Sequence, residues 1–421
     1  MHGITLTAEP SWRPAPAGQT PQAVHFLIEA AGASGVRPAV TLGLLLDRSG
    51  SMEGAKLTHL KAAVQAVVGS LTREDRLAVI AFDDEVEMLL PVGPLTDPQA
   101  ALGKIQVLTP RGGTQIGQAM ERAVAALTPE AKGGRPCRLV LLTDGKTWGD
   151  EAACEAAAAS ARAAGVPLVT LGLGEDWNEA LLMRLADASG GDSHWLKEPE
   201  EMAPRFLEQV GGLKGTVARG LSLDLQLPMG VRARRVHRVK PMISEVPVPA
   251  ASERALRVPL SDLEAGAPQG VLLEVELPAR VAGAFAVGAV TLRYAALEGD
   301  GAPVRTDLTV DCTADPAAVR VVPAVMNVVE RVSAFRLQTR ALSEAEQGAV
   351  AAATRRLEAA ATRLLTLGES GLAAVAREQA AQLAKTGTLS ATGSKALRYG
   401  TRRLTGPLTA SIATPEEGGK R

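Results

Sequence analysis

Cysteine is scarce in this chain. Only three occur in 421 residues, at positions 137, 154 and 312, although the length is enough for two to four domains. A disulfide framework is thereby excluded, and a reducing cytoplasm is the expected setting. Five histidines and no closely spaced pair of cysteines argue against a zinc site. Five Phe, four Trp and two Tyr are too few for a sheet or groove that stacks nucleobases. No apolar run reaches the roughly 18 residues that a transmembrane helix needs, and the opening MHGITLTAEPSWRPAPAG lacks the basic start and apolar stretch of a signal peptide. Neither sign of charge dominates. Forty-five Lys and Arg face 46 Asp and Glu, a net charge of −1, which argues against a chain built to coat nucleic acid or an anionic membrane.

What is present is a change of hydrophobic period along the chain. Between residues 37 and 211, short β-rich runs at 38–47, 76–83, 137–144 and 166–174 alternate with stretches of helical spacing at 54–71, 115–127, 150–164, 178–188 and 199–211. Most of the runs are almost continuously apolar, the pattern of strands buried on both faces of a largely parallel sheet. This alternation predicts a doubly wound, Rossmann-like α/β domain over 37–211. Residues 212–315 instead alternate apolar and polar positions between Gly- and Pro-bearing turns, as in LSLDLQLP and VLLEVELP, which predicts a β-sandwich. The runs GITLTAEP and AVHFLIEA within residues 1–36 share that period and are expected to pair with it, so that the α/β domain is inserted into the sandwich. From 316 to 395 the helical period returns in three stripes, predicting an α-helical hairpin or bundle, and 396–421 reads as a flexible tail.

The chemistry-bearing residues stand at the ends of the buried runs. Asp47-Arg48-Ser49-Gly50-Ser51 closes the first, where open α/β sheets bind ligands. One carboxylate and two hydroxyls on a tight loop offer hard oxygens suited to Mg²⁺. Thr114, in Gly112-Gly113-Thr114, and Asp144, in LLTDGKT, occupy comparable positions. This ordered set, DxSxS followed by a distant Thr and a distant Asp, resembles the metal-ion-dependent adhesion site of the von Willebrand factor A domain. The resemblance covers 37–211 and implies a site for Mg²⁺ (or Mn²⁺ or Ca²⁺). Ser49, Ser51 and Thr114 would ligate it directly, Asp47 and Asp144 mainly through water, and an acidic side chain of a protein partner would complete the set. The order of elements and the string RYGTRRL (398–404) also resemble bacterial proteins that join such a domain to a sandwich and a helical tail. The resemblance implies a non-enzymatic interaction module, an intracellular scaffold or a signalling or stress assembly.

Other residues carry weaker signals. Gly113, Lys146 and Trp148 lie on loops beside the site and are candidate partner contacts, Trp148 alternatively covering its loop. Asp83-Asp84-Glu85 reads as a solvated turn. Thr401 and Thr405 lie in the basic stretch YGTRRLTG and are candidate phosphorylation sites, through which a forkhead-associated domain protein would bind. Two alternatives to the binding module stand beside it. One is Mg²⁺-dependent phosphoryl transfer, although a Walker A motif and a dinucleotide fingerprint are absent. The other is RNA binding through residues 331–421, where 14 Lys and Arg face seven acids.

Overall fold

A computed structural model describes residues 3–18, 20–33, 37–147, 149–250, 253–297 and 301–405. The chain begins with β1 (Ile4–Pro10), β2 (Ala15–Pro16) and β3 (Gln22–Gly32). An α/β unit follows: β4 (Thr41–Asp47), α1 (Ala55–Ser70), β5 (Arg76–Phe82), β6 (Val86–Pro94), α2 (Pro98–Gln106), α3 (Ile116–Lys132), β7 (Cys137–Thr143), α4 (Glu151–Ala164), β8 (Leu168–Leu173), α5 (Glu179–Ser189), β9 (Ser193–Leu196) and α6 (Met202–Lys214). Then come β10 (Thr216–Gln226), β11 (Arg232–Lys240), β12 (Ser244–Val246), β13 (Ala255–Pro259), β14 (Leu263–Glu264), β15 (Gln269–Leu277), β16 (Gly283–Ala296) and β17 (Val304–Thr313). The helices α7 (Pro323–Glu346), α8 (Val350–Thr366), α9 (Ser370–Thr386) and α10 (Ala391–Arg402) complete the described elements.

The all-apolar runs form the centre of the α/β unit because only a position covered on both faces accommodates them. Every residue of β4 and of β7 is buried. The strand order is β6-β5-β4-β7-β8-β9, all parallel except for the antiparallel edge strand β6. Leu42, Leu44 and Leu46 of β4 face a core shared with α1, α2 and α6, while Leu45 faces the core of α3, α4 and α5. A side chain at Gly43 would come within 3.0 Å of Leu127 in α3, so glycine there lets that helix seat closely. The chain leaves β4 toward β5 and returns on the other side to β7. The crevice beyond the C-terminal ends of β4 and β7 is therefore the topological switch point, where ligands of such sheets bind.

The alternating runs form two antiparallel-dominated sheets, ordered β1-β3-β15-β11-β12 and β13-β10-β16-β17-β2. Their inward residues, among them Phe26, Leu273, Leu223, Leu292 and Leu308, share one core, the hallmark of a sandwich. As expected from their period, the N-terminal strands belong to it. β3 pairs along its length with β15, Phe26 opposite Leu273, and β2 pairs with β17. The outer face of the first sheet is covered in turn, since Leu27, Val239, Ile243 and Leu272 pack with Val325, Val332, Phe335, Leu357 and Leu364 of the helices.

Two expectations for the C-terminus need correction. Residues 396–402 are not a flexible tail but the end of α10, and the chain remains described to 405. Thr401 is fully buried and donates its hydroxyl to Gln338 Oε1 at 2.8 Å, so a kinase could not reach it in the folded chain. Thr405 is half-buried, its hydroxyl bonded to the Val239 carbonyl. The case for a forkhead-associated partner rested on exposure of these two threonines and loses that basis. Nor are Lys395, Arg398 and Arg402 of α10 free of partners. Arg402 pairs with Asp187 at 2.8 Å, Arg398 with Glu179 and Glu346 at 3.0 Å each, and Lys395 with Glu179 at 3.7 Å. Tyr399 bonds Ser193 of β9 at 2.9 Å, and the Ile243 amide donates to the Arg402 carbonyl at 2.7 Å. α10 thus ties the helices to both the α/β unit and the sandwich. Residues 406–421 lie outside the described residues. Among the described residues, no helix is long and apolar enough to cross a membrane.

Candidate metal centre

Asp47 is the last residue of β4 and is fully buried. Its Oδ1 accepts the Ser49 amide at 2.7 Å and its Oδ2 the Thr143 hydroxyl at 2.5 Å. The Ser49 and Ser51 hydroxyls lie 3.1 Å apart, and Ser51 Oγ donates to Asp144 Oδ1 at 2.6 Å. Thr114 reaches the same place from the loop before α3. A methyl group added at Gly145 would sit 3.0 Å from Thr114 Oγ1 and 3.8 Å from Ser51 Oγ. Five oxygen-bearing side chains from three loops therefore meet at the switch point. Lys56, in the first turn of α1, places its ammonium on Asp144 Oδ2 and donates to the Ser51 carbonyl at 3.2 Å.

Electrostatically the cluster is short of positive charge. Burial pushes the Asp47 carboxyl up to about 6, the nearby Asp144 carboxylate adding to the rise against the hydrogen bonds from Ser49 and Thr143. No Lys, Arg or His pairs with Asp47 among the described residues. The donor set, two carboxylates and three hydroxyls, is one that hard divalent cations accept. It contains no converging group of three or more His, Cys, Asp or Glu, and among the described residues none occurs elsewhere.

The loops are held by a second cluster that sequence reasoning missed. Asp83-Asp84-Glu85 forms the turn between β5 and β6, with Asp84 and Glu85 exposed as expected, but Asp83 itself is buried, and its Oδ2 accepts Arg48 Nε at 2.7 Å and Arg111 Nε at 2.8 Å. Burial opposes its ionisation, but the hydrogen bonds from Arg111, the Glu85 amide and Arg48 outweigh it and hold the carboxyl below its usual range. Backbone bonds stitch the same loops together, from the Arg111 amide to the Arg48 carbonyl at 2.8 Å, the Gly50 amide to the Gly112 carbonyl at 3.2 Å, and the Gln115 amide to the Asp83 carbonyl at 2.9 Å. Gly112 has a φ of 65° and Asp84 against it, so a side chain there would be strained and crowded. On the far side Thr147 donates to the Thr114 carbonyl at 3.0 Å, and Asp150 accepts the Gly117 amide at 2.7 Å.

The structure thus brings together Asp47, Ser49, Ser51, Thr114 and Asp144. Gly113 and Lys146 are exposed at the rim, and Trp148 lies outside the described residues. Of the residues not anticipated, Lys56 alone had a local signal, five positions after Ser51 on the next helix. Arg48, Asp83, Arg111 and Thr143 are joined only by the fold.

The sequence profile described as von Willebrand factor type A domain matches residues 42–209, and that described as Sll0103-like, C-terminal alpha-helical domain, matches 323–407. The uncharacterized protein sll0103 of Synechocystis sp. is 28% identical over 263 residues, 61% of this chain and 62% of that one. The chain spans less than two thirds of the length of the curated relatives it matches. Among solved structures, a von Willebrand factor type A protein from Catenulispora acidiphila superposes with a TM-score of 0.77 at 20% identity, covering 94% of this chain and 96% of that one. The ArnB paralog VWA2 from Sulfolobus acidocaldarius gives 0.56 at 16% identity, covering 96% and 99%. These likenesses extend the shared fold over nearly the whole chain. The chain therefore contains a von Willebrand factor type A domain at residues 42–209, followed at 323–407 by a region that matches the Sll0103-like, C-terminal alpha-helical domain.

Proposed function

We propose that the chain is a divalent-metal-dependent protein-binding module that captures an Asp or Glu side chain of a partner protein, rather than an enzyme. Von Willebrand A domains commonly mediate protein interactions, and one observation carries the finer reading. Asp47 and Asp144 meet three hydroxyls at the switch point with Lys56 as the one cation paired there among the described residues, while Asp83 nearby is matched by two guanidiniums. A buried pair of carboxylates so poorly compensated favours a cation.

In this reading Ser49, Ser51, Thr114, Asp47 and Asp144 would hold Mg²⁺, Mn²⁺ or Ca²⁺. When bound, the ion would supply a Lewis-acidic point of attachment for a carboxylate. The chain's own contribution is preorganisation. Thr143 and the Ser49 amide aim Asp47, Ser51 aims Asp144, and the Arg48–Asp83–Arg111 cluster fixes the loops that carry Ser49 and Thr114. Specificity would come from the rim, where Gly113 and Lys146 are exposed, since a cation that accepts any acidic side chain discriminates little by itself. The three cysteines are buried free thiols, which supports a cytoplasmic setting in a bacterial scaffold or signalling assembly.

A pull-down from the native cell, with Mg²⁺ and with chelator, using the full chain beside Asp47→Ala, tests this reading. A partner retained only by the unaltered chain with Mg²⁺ is expected. Phosphatase or nucleotidase turnover that requires Mg²⁺ and disappears in Asp144→Ala would instead favour catalysis.

A further inference from the structure

A cavity of about 100 Å³ lies between the outer face of the first sandwich sheet and the helices, lined by His25, His237 and Glu274 from the strands and Ser333, Arg336 and Arg363 from α7 and α8. Its polar groups are unevenly matched. Glu274 is already satisfied: Arg235 donates to both of its oxygens at 2.9 and 3.0 Å, and His25 Nε2 stands 3.8 Å away. The His25 imidazole and the Arg235 guanidinium hold its carboxyl down at about 2 against burial. Arg363 is taken by Glu330.

The other polar groups of the lining, Ser333, Arg336 and His237, make no side-chain hydrogen bond among the described residues. Arg336 is half-buried, and among the described residues it makes no ion pair and no side-chain hydrogen bond. The Ser333 hydroxyl is likewise without a partner among them. His237 is 2% exposed, and its Nε2 is buried with no hydrogen bond. Burial, followed by the Arg336 charge, lowers this imidazole to about 4, so at neutral pH it has a single N–H to offer. An unmatched guanidinium and an orphaned buried nitrogen each carry a desolvation penalty that an acceptor in the cavity would relieve.

We propose that this cavity is a binding site for a small oxyanion group, a phosphate or a carboxylate, accepted by Arg336, Ser333 and His237. A guanidinium presents paired donors suited to either oxyanion. The volume admits one such group but not a nucleotide-sized ligand, whose pockets begin at roughly 300 Å³. Because its walls come from β3, β11 and β15 on one side and from α7 and α8 on the other, the bound group would fasten the helical domain to the sandwich. The site is separate from the metal centre and does not depend on that reading.

The test is an NMR titration of the histidine side chains in the full chain at physiological salt, with inorganic phosphate and, separately, with acetate, accompanied by thermal melts. The His237 resonance is expected to shift saturably with at least one probe, and that probe should raise Tm. Affinity should fall roughly tenfold or more in Arg336→Gln and weaken in Ser333→Ala, yet remain unchanged in Asp47→Ala. The tighter probe identifies the oxyanion class. Failure of both probes to bind saturably at tens of millimolar, or equal binding by Arg336→Gln and the unaltered chain, would overturn the proposal.

Discussion

Two buried aspartates stand at adjoining strand ends of the same sheet and are opposites. Asp83, just beyond β5, receives two guanidiniums and is held below its usual pKa. Asp47, at the end of the neighbouring β4, receives hydrogen bonds from Thr143 and Ser49 but no cation among the described residues, faces a second carboxylate, and is pushed up to about 6. The first is a finished structural joint. The second is an unfinished one, and we read the missing charge as the place of a ligand. Residue type and strand-end position are shared, so the supply of positive charge from other loops decides the role.

The comparison can be broken by mutation. The largest effect is expected from Asp83→Ala, which leaves the buried Arg48 guanidinium with the half-exposed Glu87 as its one remaining counter-charge and should lower unfolding free energy by about 3 kcal/mol in chemical denaturation. Asp47→Asn, measured the same way without divalent cation, should change stability by no more than about 1 kcal/mol, because relief of a buried charge offsets the lost hydrogen bonds. Equal losses would erase the distinction. Acid sharpens it further. With its folded pKa below the unfolded value near 3.8, Asp83 contributes stability that is complete above that pH and lost as pH falls through the folded value. Urea midpoints followed into acid should fall less steeply below pH 3.8 in Asp83→Asn than in the unaltered chain. A smaller effect is expected at Arg111, whose side chain is half-exposed at 52%. Arg111→Ala should cost about 0–1 kcal/mol, because water screens that arm of the pair. Smallest is Lys56→Met, which removes an ammonium competing for Asp144 and should tighten Mg²⁺ binding severalfold in calorimetry, less so at high salt.

How much of this was legible depended on whether a feature is periodic or made by the fold. The buried strands announced themselves as apolar runs, and their ends led to Asp47 and Asp144. The alternation in AVHFLIEA was enough to assign β3 to the sandwich, where it pairs with β15. Asp83 was misread because Asp-Asp-Glu has the composition of a solvated turn, whereas its partners Arg48 and Arg111 lie 35 and 28 residues away and no local pattern links them. α10 was missed for a related reason. Its sequence ATGSKALRYGTR offers few apolar residues, and it is held by polar partners on other units, Ser193, Asp187 and Glu179 among them. The antiparallel edge strand β6 and the short strand β9 also escaped, being half-exposed in one case and four residues long in the other.

The central claim, that the unfinished cluster at the ends of β4 and β7 is a cation site, is tested most directly by titrating Mn²⁺ into the full chain by calorimetry beside the double variant Ser49→Ala, Ser51→Ala. The account predicts one site in the unaltered chain, with affinity reduced roughly tenfold or more in the variant. Absence of a saturable site, or an unchanged affinity when both hydroxyls are removed, would contradict it.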